Sequence, residues 1–135
     1  MFEMQQKVLF KHCDPAGIVF FPRYFEMMND CVEAFFDQVL GTPFETLLLT
    51  HGVPTAAIST RFAAPSRHGD LLVLKLQTTK VGRTSWQYQL TATCNGTSRF
   101  ETEATIVHVD AAGKTIPWPD TLHHKLKTNE AQHVP

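Results

Sequence analysis

The stretch from Asp14 to Pro22 contains the strongest candidates for chemistry in this chain. Asp14 is followed by Pro15 and Gly17, then by a short apolar run that ends at Pro22. Proline suits a first helical position because its φ is fixed there and no hydrogen bond is lost, so Pro22 indicates a helix start. Free N–H groups at a helix N-terminus favour negative charge. A carboxylate near such donors is suited to acyl transfer, because the donors can stabilise the oxyanion that forms.

The same residues also have a structural interpretation. Asp14-Pro15-Ala16-Gly17 is a typical turn sequence, in which the aspartate side chain accepts a nearby backbone N–H and glycine provides the turn conformation. Asp14 lies eight residues before Pro22, which is too far for it to cap that helix directly. A catalytic carboxylate and an Asx turn therefore both remain open for Asp14, and Gly17 could serve only the turn.

The histidines carry weaker signals. His12 is two residues before Asp14, and residues two apart share a face of a strand, so His12 could orient Asp14 or be purely structural. His123 and His124 are adjacent, but no third residue has the spacing of a metal ligand. We therefore expect no metal site.

Composition predicts one packed domain over residues 1–135. The chain is 43% hydrophobic and 19% charged, and 12 basic side chains balance 13 acidic ones, which gives no pull towards nucleic acid or an anionic membrane. No apolar run approaches the roughly 20 residues of a membrane span, and the first residues lack a signal-peptide pattern. Three cysteines without C-x-x-C spacing argue against a disulfide framework. We expect a cytoplasmic protein without nucleic-acid or membrane partners.

Hydrophobic periodicity predicts the order of elements. A narrow polar stripe from Arg23 to Asp37 beside a wide apolar face indicates a largely buried helix, which Gly41 and Pro43 end. A short helix is predicted at residues 44–49. Strands are predicted at residues 5–11, 58–64, 71–76, 86–94 and 100–108. Alternation in the later strands is typical of an antiparallel sheet with one buried face.

The connections complete an α+β architecture of one helix on one antiparallel sheet. Asn95-Gly96 predicts a two-residue hairpin, because both positions tolerate positive φ, and Gly82 indicates a second tight connection. A single sheet of this kind leaves exposed edges, so we expect a homo-oligomer. The tail from about residue 115 is expected to be surface or frayed.

These residues carry a family resemblance. The run Asp14-Pro15-Ala16-Gly17-Ile18-Val19-Phe20, with Pro22 and Tyr24 after it, resembles the signature of hotdog-fold acyl-CoA thioesterases of the 4-hydroxybenzoyl-CoA thioesterase family. The resemblance covers roughly residues 2–110. It implies a curved antiparallel sheet wrapped around one long central helix, in homodimers that often pair into homotetramers. It also implies hydrolysis of an acyl-CoA to a free acid and coenzyme A, without a metal or redox cofactor.

The resemblance also implies roles for individual residues. Asp14 falls on the family's catalytic carboxylate, as nucleophile or general base, and Phe21 falls where a backbone N–H polarises the thioester carbonyl. Gly17 permits the tight loop between them. Lys11-His12-Cys13 departs from the Thr-Asp or Glu-Thr-Asp of many relatives. Asn29 takes the place of a helix acid that faces the acyl pocket in some relatives, and an amide cannot act as a base. With Tyr24, Asn29 is a candidate pocket residue.

Coenzyme A would need cations for its phosphates, for which arginine is well suited. The candidates lie near predicted strand ends, where they could reach a neighbouring subunit's site or be ordinary solvated charges: Arg61, Arg67, His68, Lys80 and Arg83. Two alternative functions remain open. One is a hotdog dehydratase or hydratase, which His12 would suit although a His-Phe-Pro-Gly run is absent. The other is a non-catalytic acyl-CoA binding protein. The sequence leaves open the acyl group and whether an acyl carrier replaces coenzyme A.

Overall fold

A computed structural model describes residues 1–130 of the chain. Within that range the elements follow in the order β1 (Phe2–Lys7), α1 (Pro22–Gln38), α2 (Phe44–Leu47), β2 (His51–Gly52), β3 (Thr55–Phe62), β4 (Leu71–Val81), β5 (Ser85–Cys94), β6 (Thr97–Val107), β7 (Val109–Asp110) and α3 (Asp120–Thr128). No helix in this part of the chain is long and apolar enough to cross a membrane.

Five strands form one antiparallel sheet in the order β1-β4-β5-β6-β3, and β2 pairs separately with β7. The predicted α+β class is confirmed. Asn95 and Gly96 both have positive φ, 51° and 77°, and connect β5 to β6 as the two-residue hairpin that the sequence predicts. The sheet thus places β1 at one edge and β3 at the other.

Helix α1 begins at Pro22 and contributes much of the core. Its acidic and basic stripe is exposed, whereas the opposite side, including Met27, Cys31 and Phe35, is buried. The Phe35 ring stacks on Trp86 of β5 with the two planes 2° apart and the centroids 5.4 Å apart. The core therefore lies between α1 and the sheet.

The first strand begins and ends earlier than predicted, so that the predicted range overlaps it only at residues 5–7. β1 ends at Lys7, opposite Leu71, the first residue of β4. Beyond that point the pairing ends with two bonds at Val8, whose amide donates to the Asp70 carbonyl and whose carbonyl accepts the Gly69 amide, both at 2.8 Å. Without a partner strand the backbone turns, and Phe10–His12 forms a short 3₁₀ helix where the predicted strand over 5–11 would have ended.

Strand β3 lacks the buried face that its alternation predicts. Seven of its eight residues are exposed and Thr60 is half-buried. It is an edge strand, and although the Phe62 ring contacts aromatic rings at the start of α1, its apolar side chains Ile58 and Phe62 remain 46% and 44% exposed. The alternation is real, but no element among the described residues fully covers it.

The expectation of a surface or frayed tail from about residue 115 is wrong for the part that the structure describes. Trp118, Leu122 and Leu126 are buried, so α3 docks on the core. The Lys125 ammonium donates to the Leu40 carbonyl at 2.9 Å, just beyond the C-terminus of α1, where a cation is favoured. The last five residues, 131–135, lie outside the described range.

Candidate active site

The Asp14 loop, residues 12–20, folds as two short arms that run antiparallel. The Phe20 amide donates to the His12 carbonyl at 2.9 Å, and the Asp14 amide donates to the Ile18 carbonyl at 2.9 Å. Between these bonds, Cys13 and Val19 form an isolated antiparallel bridge. The arms fix the separation between the Asp14 backbone and the start of α1.

The tip of the Asp14 loop is an Asx turn. The Ala16 amide donates to Asp14 Oδ1 at 2.9 Å, and the Gly17 amide donates to the Asp14 carbonyl at 2.9 Å. Gly17 has a φ of +79°, in the left-handed region that favours glycine. The turn that the sequence left open is therefore present. It uses Oδ1 and orients the half-buried carboxylate, which leaves Oδ2 for other chemistry.

The start of α1 presents one free backbone donor. Pro22 has no N–H, the Arg23 amide donates to the Phe20 carbonyl at 2.8 Å, and the Tyr24 amide donates to the Phe21 carbonyl at 3.1 Å. The Phe21 amide donates to no acceptor anywhere in residues 1–130. Phe21 itself is 55% exposed, so a ligand can reach this region. The donor expected at the helix start is specifically the N–H of Phe21.

A buried hydroxyl pair fixes the returning arm to the connection between β3 and β4. The Tyr24 hydroxyl donates to Ser66 Oγ at 2.8 Å, and Ser66 is 0% exposed. Burial raises the pKa of Tyr24, although the bond to Ser66 opposes the shift. The Ser66 carbonyl in turn accepts the Val19 amide at 2.8 Å. Tyr24 is thus a support of the loop.

An ion pair supports the same connection. Arg99 Nη1 donates to Asp70 Oδ2 and to the Pro65 carbonyl, both at 2.9 Å. The Arg67 amide also donates to Asp70 Oδ2 at 2.9 Å. Hydrogen bonds from the Arg67 backbone first, and then from Arg99, hold the pKa of Asp70 below its ordinary range against the opposing effect of burial. The backbones of Arg67 and Ile18 form an isolated antiparallel β-bridge, which joins this network to the Asp14 loop.

Three of the predicted phosphate ligands lie at the same end of the sheet as the Asp14 loop. Arg61 is exposed on β3 and lies 3.7 Å from the Glu101 carboxylate, which is a loose surface pair. The Arg67 side chain is exposed beside the loop. The His68 ring is exposed and meets the Phe10 ring edge-on, with centroids 6.1 Å apart. These side chains are free to contact an anionic ligand that approaches from this end.

Lys80 and Arg83 lie at the opposite end of the sheet. Leu71 begins β4 next to the loop, and nine residue steps of about 3.3 Å place Lys80 roughly 30 Å along the strand. Arg83 follows in the hairpin to β5 and is exposed. One chain therefore does not bring these two cations to the Asp14 loop.

Asn29 faces a cavity of about 270 Å³ between α1, α2 and β3. It lies eight residues after Phe21, or roughly 12 Å along the helix axis. The other lining side chains are mainly apolar, among them Phe25, Val32 and Ile58. Tyr88 also lines the cavity, and burial raises its pKa to about 12, so its hydroxyl is neutral.

A shallower cavity of about 240 Å³ lies at the start of α1. Its wall includes Phe21, Tyr24 and Phe62, and the Phe21 and Phe62 rings meet edge-on with centroids 5.8 Å apart. Three or more metal-ligating side chains do not come together at any point in residues 1–130.

Comparison with protein families decides the relationship. The model of the thioesterase-like superfamily matches residues 8–126, which include the Asp14 loop, every strand of the sheet except β1, and most of α3. The chain belongs to the thioesterase-like superfamily. The family relationship predicted from the Asp14-Pro15-Ala16-Gly17 run is therefore confirmed.

Among curated proteins, this thioesterase-like chain is similar to 4-hydroxybenzoyl-CoA thioesterase from Pseudomonas sp. (strain CBS-3). The two are 28% identical over 75 residues, which is 53% of each chain. The match thus spans about half the length of that relative.

Solved structures share the fold over nearly the whole chain. The structure of a gentisyl-coenzyme A thioesterase superposes with a TM-score of 0.85 at 21% identity, covering 93% of this chain and 99% of that one. A 1,4-dihydroxy-2-naphthoyl-CoA thioesterase from Synechocystis gives 0.86 at 18% identity, with 93% and 95% covered. A Staphylococcus aureus protein in complex with CoA gives 0.85 at 17% identity, with 98% and 87% covered.

The residues that support the Asp14 loop were not predicted from the sequence. Ser66, Asp70 and Arg99 have no motif, and they meet only because the connection after β3 folds beneath the loop. The sequence carries no signal for Ser66, because the residues that follow it, Arg67 and His68, are polar and exposed whereas Ser66 itself is fully buried.

Proposed function

We propose that this chain is an acyl-CoA thioesterase that hydrolyses a thioester to a free acid and coenzyme A. The observation that carries the proposal is that the hydrogen-bonded Asp14 loop holds the Asp14 carboxylate and leads directly to the Phe21 amide, which has no acceptor within residues 1–130. The superfamily relationship and relatives named as acyl-CoA thioesterases support it. The proposed reaction requires no metal or redox cofactor.

The Phe21 amide would bind the thioester oxygen as negative charge develops there. A pre-positioned donor of this kind contributes about 3 kcal/mol to the transition state, because it strengthens as the oxyanion forms and needs no reorganisation. The Asx turn prevents Asp14 Oδ1 from rotating freely and directs Oδ2 as the reactive oxygen.

Two routes fit Asp14. As a general base, it removes a proton from water, the hydroxyl oxygen bonds to the carbonyl carbon, and the C–S bond breaks as the leaving thiolate takes up a proton. As a nucleophile, Asp14 bonds to the carbonyl carbon and expels the thiolate to give an anhydride, which water then hydrolyses. Both routes require an ionised Asp14 and consume one water per thioester.

We propose that the acyl group lies along α1 in the two cavities there, one lined by Tyr24 and the other by Asn29, and that exposed Arg61, Arg67 and His68 approach the nucleotide phosphates. Coenzyme A bound in a neighbour of similar fold supports a ligand of this type. Asn29 donates and accepts hydrogen bonds, so it would select the acyl group rather than act as a base.

The assembly that we propose is a homodimer, or a homotetramer of two such dimers, in the hotdog arrangement with the sheet curved around α1. The exposed edge strand β3 supports pairing with a second copy, because its backbone and its apolar Ile58 and Phe62 side chains would be covered. Such pairing would allow Lys80 and Arg83 to contribute to a site on another subunit. We place the single-domain protein in the cytoplasm, without nucleic-acid or membrane partners.

Thiol release from a panel of acyl-CoA thioesters, extended to an acyl-carrier thioester, tests the proposed function. A thioesterase releases free thiol. A dehydratase changes the enoyl absorbance without releasing thiol, and a binding protein does neither. If no member of the panel releases thiol, the proposal is contradicted.

The donor is tested by comparing Phe21→Pro with Phe21→Ala. Phe21 has a φ of −53°, which proline can adopt, so the proline variant removes the N–H while the alanine variant keeps it and removes only the ring. We expect kcat to fall roughly 100-fold in Phe21→Pro, and much less in Phe21→Ala. Equal kcat values for two folded variants would remove the Phe21 amide from the mechanism.

A further inference from the structure

The imidazole of His12 is a buried titratable group that the proposed mechanism does not use. His12 is 5% exposed and ends the 3₁₀ turn Phe10–His12, not a strand shared with Asp14. The alternation argument that would place it beside Asp14 therefore does not apply. Its role must be found in its own contacts.

The hydrogen bonds of His12 determine its tautomer. The Leu9 amide donates to His12 Nδ1 at 2.9 Å. A backbone N–H can only donate, so Nδ1 is the unprotonated acceptor and the neutral ring carries its hydrogen on Nε2. The His12 amide returns a bond to the Leu9 carbonyl at 3.0 Å. These two bonds close the turn that leads into the Asp14 loop.

The backbone of His12 connects this turn to the donor at the helix start. Its carbonyl accepts the Phe20 amide at 2.9 Å, and the next amide along the chain is the free N–H of Phe21. Two residues after His12, the Asp14 amide makes the second bond between the arms. A displacement of His12 would therefore move both the Asp14 carboxylate and the Phe21 amide.

We propose that His12 is a positioning residue of the thioesterase site: its neutral Nδ1 holds the Leu9 amide and thereby sets the Asp14 loop against the Phe21 amide, and protonation of Nδ1 releases this anchor. The inference rests on the proposed function for its catalytic consequence. The anchor itself is a property of the folded chain and can be tested without a substrate.

The pKa of His12 supports the sign of the effect. Burial is the main cause that lowers it below its ordinary value of 6.5. The charged groups that face the ring are Lys11 on its own turn and, from α1, Arg23, Glu26 and Asp30. The two cations lower the pKa of His12 and the two acids raise it. As the pH falls, His12 therefore becomes protonated at a higher pH in the unfolded chain than in the folded chain. The stabilisation of the fold by neutral His12 is complete above pH 6.5 and is lost as the pH falls through the lowered pKa of the folded state.

His12→Asn and His12→Ala form the matched pair of variants. Asparagine places Oδ1 where histidine has Nδ1, so it can accept the Leu9 amide but does not titrate. Alanine removes the acceptor. Leu126→Ala is the control for a general loss of stability, because Leu126 is buried on α3, away from the loop.

Activity is measured as kcat and KM from pH 5 to 8. We expect His12→Ala to lower kcat by up to about 100-fold with a smaller change in KM, because the reacting groups are misplaced. We expect His12→Asn to restore most of kcat and to move the acid limb of the kcat profile to lower pH. Leu126→Ala should keep the wild-type profile. An acid limb at the same pH in the wild type and in His12→Asn, or equal kcat in His12→Ala and the wild type, would overturn the proposal.

Two measurements without substrate separate this inference from the proposed function. Nitrogen-15 NMR should show the Nε2–H tautomer of His12 at pH 7, and amide exchange over residues 13–21 should accelerate in His12→Ala but not in His12→Asn. An Nδ1–H tautomer, or unchanged exchange in His12→Ala, refutes the anchor. If these results hold while no thioester is hydrolysed, the proposed function fails and the anchor stands.

Discussion

The hydroxyl pair between Tyr24 and Ser66 gives a prediction whose size can be worked out from its burial. The oxygens are 2.8 Å apart, and the two residues are 4% and 0% exposed, so water cannot replace either partner. Tyr24→Phe removes the donor and leaves the buried Ser66 hydroxyl without it. Ser66→Ala removes the acceptor and leaves the Tyr24 hydroxyl unpaired.

An unsatisfied buried hydroxyl costs about 1–3 kcal/mol. We therefore expect each single variant to lose about 2 kcal/mol in the free energy of unfolding. In the double variant both polar groups are gone, so only the net value of the bond and the packing change remain. The double variant should be less destabilised than the sum of the singles, with a coupling of about 1–2 kcal/mol.

The assay is urea unfolding at one fixed protein concentration, followed by fluorescence of the buried Trp86 and Trp118. Thr78→Val is a matched control, since the Thr78 hydroxyl accepts the Trp86 indole N–H at 2.9 Å in another buried pair. Effects of Tyr24→Phe and Thr78→Val should add without coupling. Additivity of the Tyr24 and Ser66 variants within about 0.3 kcal/mol would refute the reasoning.

Two further predictions concern the tail and the support beneath the loop. Leu126→Ala should destabilise the protein by about 3 kcal/mol and lower Tm by about 10 °C in calorimetry, because a fully buried leucine leaves a cavity, whereas a frayed tail predicts no change. Asp70→Asn should lower the free energy of unfolding at pH 7 and reduce the loss of stability in acid. The lowered pKa of Asp70 stabilises the folded protein at pH values above 3.8, the ordinary pKa of an aspartate, and this stabilisation is lost as the pH falls through the lowered pKa. An unchanged urea midpoint across pH 3 to 7 in Asp70→Asn relative to the wild type would contradict the role given to its carboxylate.

Features set by short-range sequence were predictable. The Asp14-to-Gly17 turn, the helix start at Pro22 and the Asn95-Gly96 hairpin each depend on the conformational limits of a few adjacent residues. The loop that pairs Asp14 with the helix start could therefore be located from the sequence. Its identification as catalytic stays a prediction.

Features set by distant contacts were not predictable from the pattern. The predicted strand at 5–11 looked apolar enough, but β1 stops where β4 begins, and that boundary depends on a strand some 60 residues later. Leu122 and Leu126 are spaced four apart, as a helix requires, and Trp118 precedes the helix, but two prolines and a polar surround obscured the signal. The supports at Ser66 and Arg99 depend on tertiary contacts alone.

The same limit explains the scattered cations. Their place at a predicted hairpin made Lys80 and Arg83 candidates, but only the sheet register shows that they lie at the far end of β4. A second copy of the chain is required before they can approach an Asp14 loop. Arg61, Arg67 and His68 need no such partner.

The central claim is that the Asp14 carboxylate performs the chemistry, and Asp14→Asn tests it most directly. Asparagine can still accept the Ala16 amide, so the Asx turn is retained while the charge and basicity are lost. Asp110→Asn is the matched control: Asp110 Oδ1 accepts the Ala112 amide at 2.9 Å in a similar turn at the other end of the sheet.

The measurement is thiol release from the best acyl-CoA substrate by both variants, with thermal unfolding as the test of folding. We predict that Asp14→Asn unfolds like the wild type and loses about 1,000-fold or more in kcat, as expected when a general base or nucleophile is removed. Asp110→Asn should keep wild-type kcat. A folded Asp14→Asn variant with wild-type turnover would contradict the account.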